Sequence, residues 1–101
     1  MDKEILYVGR DNTIDVILKA DGSAVNLSGT THVSLVFSGS TISSVGRTTW
    51  FDWTSGTTGE IKFKLGGTTI AAGAYDAELI TFDLTNTRGI SWGIIPVLVK
   101  T

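Results

Sequence analysis

The stretch Glu60-Ile61-Lys62-Phe63-Lys64-Leu65 alternates charged and apolar residues without a break, and Gly66-Gly67 closes it. Successive side chains of a strand point to opposite faces, so this alternation puts Ile61, Phe63 and Leu65 on one side and Glu60, Lys62 and Lys64 on the other. One side faces a core and the other faces water. The same period recurs at residues 13–20. There Ile14, Val16, Leu18 and Ala20 point one way and Asp15 and Lys19 the other, before Asp21-Gly22 turns the chain into a hairpin. Val33, Leu35 and Phe37 form a third inward set, between a loop containing Gly29 and the break at Ser38-Gly39-Ser40.

Outward from these three runs, residues 4–8 read as a first strand, and residues 41–53 as two short strands with a turn at Gly46. Residues 74–84 begin with Tyr75, Ala77 and Leu79 inward. Ile80, Phe82 and Leu84 then lie on the opposite phase, a change that a bulge, or a strand exposed to partners on one face, would produce. After the Thr85-Asn86-Thr87-Arg88-Gly89 turn, residues 90–99 form the last strand. Pro96 lies inside it and has no N–H for a ladder, which predicts an edge strand or a break at that point. No segment carries a helical apolar stripe longer than one turn. The chain therefore reads as all-β, one domain over residues 1–101, with seven to eight short, mainly antiparallel strands. That count and spacing resemble an immunoglobulin-like β-sandwich, with a small closed or partly open barrel as the alternative. Ala72-Gly73-Ala74-Tyr75-Asp76-Ala77 resembles the tyrosine corner of such sandwiches, with Ala77 where antibody domains carry cysteine.

Composition agrees with this class. Hydrophobic residues make up 42% of the 101 residues and charged ones 18%, too apolar for a disordered tail. Twelve glycines and a single proline, among many threonines and serines, suit strands joined by tight turns. Eight basic against ten acidic side chains give a net charge of -2, with no basic cluster to attract a nucleic acid or an anionic membrane. No cysteine is present, so disulfides, thiolate nucleophiles and cysteine metal sites drop out. Met1-Asp2-Lys3-Glu4 runs straight into an alternating segment without the apolar stretch of a signal peptide or membrane span, which predicts cytoplasmic synthesis and no membrane insertion.

Catalytic groups are sparse. His32 is the single histidine, and it stands beside Thr31 with no elbow or partner motif that would make a nucleophile. Asp11, Asp15, Asp52, Asp76, Glu78 and Asp83 are scattered over different strands and loops, with no pair spaced for acid and base work. Asp11-Asn12-Thr13-Ile14-Asp15 lacks the glycine and distal glutamate of a calcium loop and reads as a turn. Gly66-Gly67 is followed by no lysine and helix, so it reads as a hairpin turn and not a phosphate loop. The expectation is no enzyme, no cofactor and no metal.

Trp50, Trp53 and Trp92 could pack in the core or anchor contacts. Trp50 and Trp53 are an odd number of residues apart, so in a regular strand they face opposite sides and cannot form one flat sugar-binding strip. One of them can be buried while the other joins Phe51 at an interface.

The order of these pieces resembles the immunoglobulin-like N-terminal domain of phage baseplate upper proteins and related phage tail domains. The likeness rests on Asp21-Gly22 with Val25-Asn26-Leu27-Ser28-Gly29, on Thr58-Gly59-Glu60-Ile61, and on Ala72-Gly73-Ala74-Tyr75-Asp76-Ala77-Glu78-Leu79. It covers nearly the whole chain, and Ala72 replaces the family's usual proline. The resemblance implies a non-catalytic virion component of a tail, baseplate or fibre, made in the host cytoplasm and contacting other virion proteins or further copies of itself. Exposure logic nominates Trp50, Phe51, Trp53, Ile94 and Ile95 as interface residues. A carbohydrate-binding or cell-surface adhesion module is the alternative.

Overall fold

The computed structural model describes residues 3–47, 49–53 and 57–101. Its strands in chain order are β1 (Glu4–Tyr7), β2 (Ile14–Ile17), β3 (Lys19–Ala20), β4 (Ser23–Ala24), β5 (Thr30–Phe37) and β6 (Ser40–Ser43). These are followed by β7 (Phe51–Asp52), β8 (Glu60–Phe63), β9 (Gly73–Asp83) and β10 (Ile90–Lys100). No helix occurs among the described residues, and none is long and apolar enough to cross a membrane. Met1 and Asp2, read above as part of a charged start, lie outside the described residues.

Five strands form one sheet in the order β1-β10-β9-β5-β6, and three form a second in the order β2-β8-β7. The β1–β10 pair is parallel, and the other pairs are antiparallel. The inward residues of both sheets meet in one core. The larger sheet contributes Leu6, Val33, Leu35, Phe37, Ala77, Leu79, Ile95, Val97 and Val99, and the smaller contributes Ile14, Val16, Phe51, Ile61 and Phe63. The arrangement is β-sandwich-like. Burying each large aliphatic or aromatic side chain contributes about 1.5–3 kcal/mol, so this shared core is the main reason the two sheets stay together.

The alternating runs pack as their period predicts: Ile61, Phe63 and Leu65, like Val33, Leu35 and Phe37, are all buried. Ile14, Val16 and Leu18 are buried too, whereas Ala20 is exposed. The chain leaves the sheet at Leu18, whose N–H donates to the Gly59 carbonyl at 2.8 Å. It then enters a separate two-residue hairpin, β3–β4, with Ala20 opposite Ser23. Asp21 and Gly22, at φ 52 and 79, supply the two left-handed positions that a type I′ turn requires. This hairpin brings the strands to ten among the described residues, more than the seven to eight expected.

Three further expectations change. Gly66-Gly67 makes a turn, with Thr68 N–H donating to Leu65 O at 3.0 Å, but it is not a hairpin, because the chain passes there from the smaller sheet to the larger. β9 keeps one phase throughout, with Ala77, Leu79 and Thr81 buried. Ile80 and Phe82 belong to its other face, and Leu84 lies beyond the strand in the loop. The bulge sits instead in β10, where register passes from Ser91↔Ile80 to Ile94↔Glu78 and two residues span the place of one. Finally, β10 lies inside the sheet order. Its pairing with β1 begins only at Glu4↔Val97, so among the described residues its half before Val97 has no strand on that side and accommodates Pro96.

Candidate functional site

The outer face of the five-stranded sheet follows from the registers. Ile5 and Tyr7 flank the inward Leu6, Ile5 stands opposite Leu98, and Ile94 stands opposite Glu78. From β9 come Ile80 and Phe82, and from β5 Val36, which is opposite Glu78. Ile94 is 50% exposed, Ile5 38% and Tyr7 37%, while Val36, Ile80, Phe82, Pro96 and Leu98 are half-buried with no layer above them among the described residues. The opposite outer face, on the smaller sheet, has another character. Asp15, Asp52 and Lys62 project there beside one exposed apolar residue, Ile17. The outer face of the larger sheet also carries Asp76, Glu78 and Lys100, so it differs from the smaller sheet in having more apolar side chains among its charges and not in lacking charge.

Local contacts stiffen the apolar face. The His32 ring stacks on Phe82 at 4.2 Å between centroids and 8° between planes. The Thr31 hydroxyl donates to the Phe82 carbonyl at 3.1 Å and lies 3.0 Å from His32 Nδ1. A hydroxyl has one proton, so with that proton on the carbonyl, Thr31 accepts from an Nδ1–H tautomer of His32. These contacts fasten the strand irregularity between Thr30 and His32. Gly89 closes the patch at the other end, where a Cβ would lie 2.4 Å from Ile80 Cγ2.

The nominated residues divide. Ile94 is exposed on this face. Ile95, its neighbour, points the other way and is 2% exposed, and Phe51 is 4% exposed, with its ring edge-on to Phe63 at 5.4 Å. Both belong to the core and offer no surface to a partner, a correction that follows from strand parity. Trp50 and Trp53 are half-buried and pack against the core from its rim. Trp50 is held by its surroundings: its N–H donates to Arg47 O at 3.0 Å, its carbonyl accepts from Lys64 N–H at 2.8 Å, and the Arg47 guanidinium sits 5.2 Å from its ring centroid. Trp92 is half-buried on the inner side, its Nε1–H donating to Thr81 Oγ1 at 2.8 Å.

Ile80 and Phe82 are the opposite phase for which the sequence offers a partner-exposed face as one explanation, whereas Ile5, Tyr7, Val36 and Leu98 are not reached from sequence. A signal for them exists in residues 94–99, Ile-Ile-Pro-Val-Leu-Val, where both phases of the strand are apolar. Such a strand is covered on both sides or carries an apolar outer face.

Two carboxyls have displaced affinities for protons. Glu60 is raised, chiefly by a hydrogen bond with Asp15 and then by burial. Asp83 is lowered, chiefly by the Asn86 side-chain amide. Among the described residues, no group of three or more His, Cys, Asp or Glu side chains is placed to hold a metal ion. Comparison with protein-family models, with curated proteins and with solved structures returns no match.

Proposed function

We propose that this chain is an immunoglobulin-like domain that works without catalysis, as a structural or assembly part of a phage or prophage virion. On this reading it is made in the host cytoplasm and contacts other virion proteins through the outer face of its five-stranded sheet. The observation that carries the interaction is the asymmetry between the two outer faces. Exposed apolar surface is costly to leave in water and marks contact sites, and Ile5, Tyr7 and Ile94 are exposed on this face against Ile17 on the outer face of the smaller sheet. Protein contact through the face is favoured over strand addition at the β10 edge, because the bulge before Ile94 and Pro96 both blunt that edge.

Two observations support the immunoglobulin-like part. The sheet order places the first strand parallel to the last, and the consecutive strands β9 and β10 lie beside β5 and β6 across from β2, β8 and β7. The Tyr75 hydroxyl donates to the Ala71 carbonyl at 2.8 Å, the bond that defines a tyrosine corner. The virion assignment rests on the sequence resemblance alone.

The test is capture by the tagged chain from a lysate containing induced phage particles, with Ile94→Glu run in parallel. The expected result is recovery of tail or baseplate proteins in fixed ratio by the unaltered chain and their loss with the variant. Recovery of no virion protein overturns the virion reading. Equal recovery by both chains overturns the face.

A further inference from the structure

We propose that a cleft at the open side of the sandwich, walled by Arg47 and Trp50, binds a single sugar ring that carries a carboxylate. The cleft lies where the edge strand β6 meets the chain after β8, away from the apolar sheet face, and the inference does not depend on the assembly reading. Its volume is about 240 Å³. At ~30 Å³ for each water, that is room for about eight solvent molecules or one pyranose ring.

The lining supplies three kinds of contact. Trp50 offers an aromatic wall, and its position is built in: a Cβ on Gly67 would lie 2.8 Å from Trp50 Cζ2, so the indole takes the space that glycine leaves. Aromatic surface packs against the C–H side of a sugar ring; the Arg47 guanidinium takes part of the indole surface and leaves the sugar the rest. Ser40, Thr41 and Thr69 bring hydroxyls, which both donate and accept as sugar hydroxyls require. Arg47 adds the charge. Among the described residues no carboxylate lines the cleft, so in a chain of net charge -2 its one charged wall is a cation. The guanidinium lies 5.2 Å from the Trp50 ring centroid, so cation and indole stand together at the cleft, and an arginine fork suits a bidentate grip on a carboxylate. A bare anion would use Arg47 and the hydroxyls as donors and leave the indole idle. A neutral sugar would leave the cation unpaired. A uronic acid uses all three.

The experiment is a titration of the ¹⁵N-labelled chain with glucuronate, glucose and inorganic phosphate, followed at the indole N–H signals and assigned with Trp50→Phe. Glucuronate is expected to shift the Trp50 signal saturably, with roughly tenfold weaker binding by glucose and by phosphate, and roughly tenfold weaker glucuronate binding by Arg47→Gln. Thr69→Val, which keeps size and removes one hydroxyl, is expected to weaken glucuronate binding. Equal binding of glucose overturns the role of the carboxylate, and equal binding of phosphate overturns the sugar. No shift at the Trp50 indole with any of the three overturns the site. Because Arg47 is exposed, its variant keeps the fold and the test stands even if Trp50→Phe does not fold.

Discussion

The Tyr75 hydroxyl reaches back four residues to the Ala71 carbonyl at 2.8 Å while its ring stands edge-on to Phe37 at 5.7 Å. The two contacts tie the entry of β9 to the core. Tyr75→Phe keeps the ring and deletes the bond, so it is expected to lower stability by about 0.5–1.5 kcal/mol, read as a shift of the urea midpoint at constant slope. An unchanged midpoint would show that water replaces Tyr75 at no loss.

Gly66 makes the tightest backbone approach among the described glycines: a Cβ there would collide with the Arg10 carbonyl oxygen. That neighbour is backbone and cannot swing aside. Gly66→Ala is expected to cost about 1–3 kcal/mol or more, through displacement of the crossing between the sheets. Gly29→Ala is the control, since nothing lies within 4 Å of its added carbon. Equal stabilities of the two variants in thermal unfolding would rule out the close approach.

Ile94 and Ile95 are adjacent, alike in chemistry and opposite in fate. Ile95→Ala is expected to cost about 2–5 kcal/mol, the range for a truncated core side chain, and Ile94→Ala to stay within about 0.5 kcal/mol. Denaturant unfolding of both variants checks the direction of β10. A larger loss at Ile94 would place the strand one residue out of register.

This pair also marks how far the sequence can be read. Where one phase is apolar and the other charged, as in Glu60 to Leu65, the buried face is legible and Ile61, Phe63 and Leu65 occupy it. Where both phases are apolar, as at residues 94–99, period two no longer says which is inside. That is why Ile95 was nominated as surface and Ile5, Tyr7 and Leu98 were passed over. Bulges are hidden for a related reason. The parity change expected in β9 is an apolar outer face, and the real bulge in β10 depends on its register with β9, which no local pattern carries. Arg47 could not be linked to Trp50 or to Thr69 from sequence, because the cleft joins segments far apart along the chain.

The two perturbed carboxyls set opposite slopes in acid. Asp83 accepts hydrogen bonds from the Asn86 side-chain amide, the Asn86 N–H and the Thr85 N–H. Its carboxyl is held below the ordinary 3.8, so the stability it contributes is present above 3.8 and lost as pH falls through the folded value. Glu60 is held above the ordinary 4.5 by its hydrogen bond with Asp15, so its contribution is present below 4.5 and lost as pH rises through the folded value. Asn86→Ala should therefore flatten the loss of stability below pH 3.8, and Glu60→Gln should remove the loss above pH 4.5. Urea midpoints measured across this range check both. Profiles parallel to the unaltered chain would mean that these hydrogen bonds do not persist in solution.

A charged residue on the apolar sheet face separates contact from folding. Ile5 and Leu98 are register partners there, and Ile5 is already 38% exposed. Ile5→Glu can turn its carboxylate to water, so a stability change within about 1 kcal/mol is expected, whereas any partner that covers the face must desolvate that charge. Binding to a captured partner should then fall by at least about a hundredfold, the consequence of a cost near 3 kcal/mol. Surface plasmon resonance on the purified variant reads this directly, and circular dichroism verifies the fold. Asp15→Lys, on the charged outer face of the smaller sheet, should leave binding unchanged. Should the Asp15 variant lose binding while Ile5→Glu retains it, the contact belongs to the other side of the sandwich and the apolar face needs a different explanation.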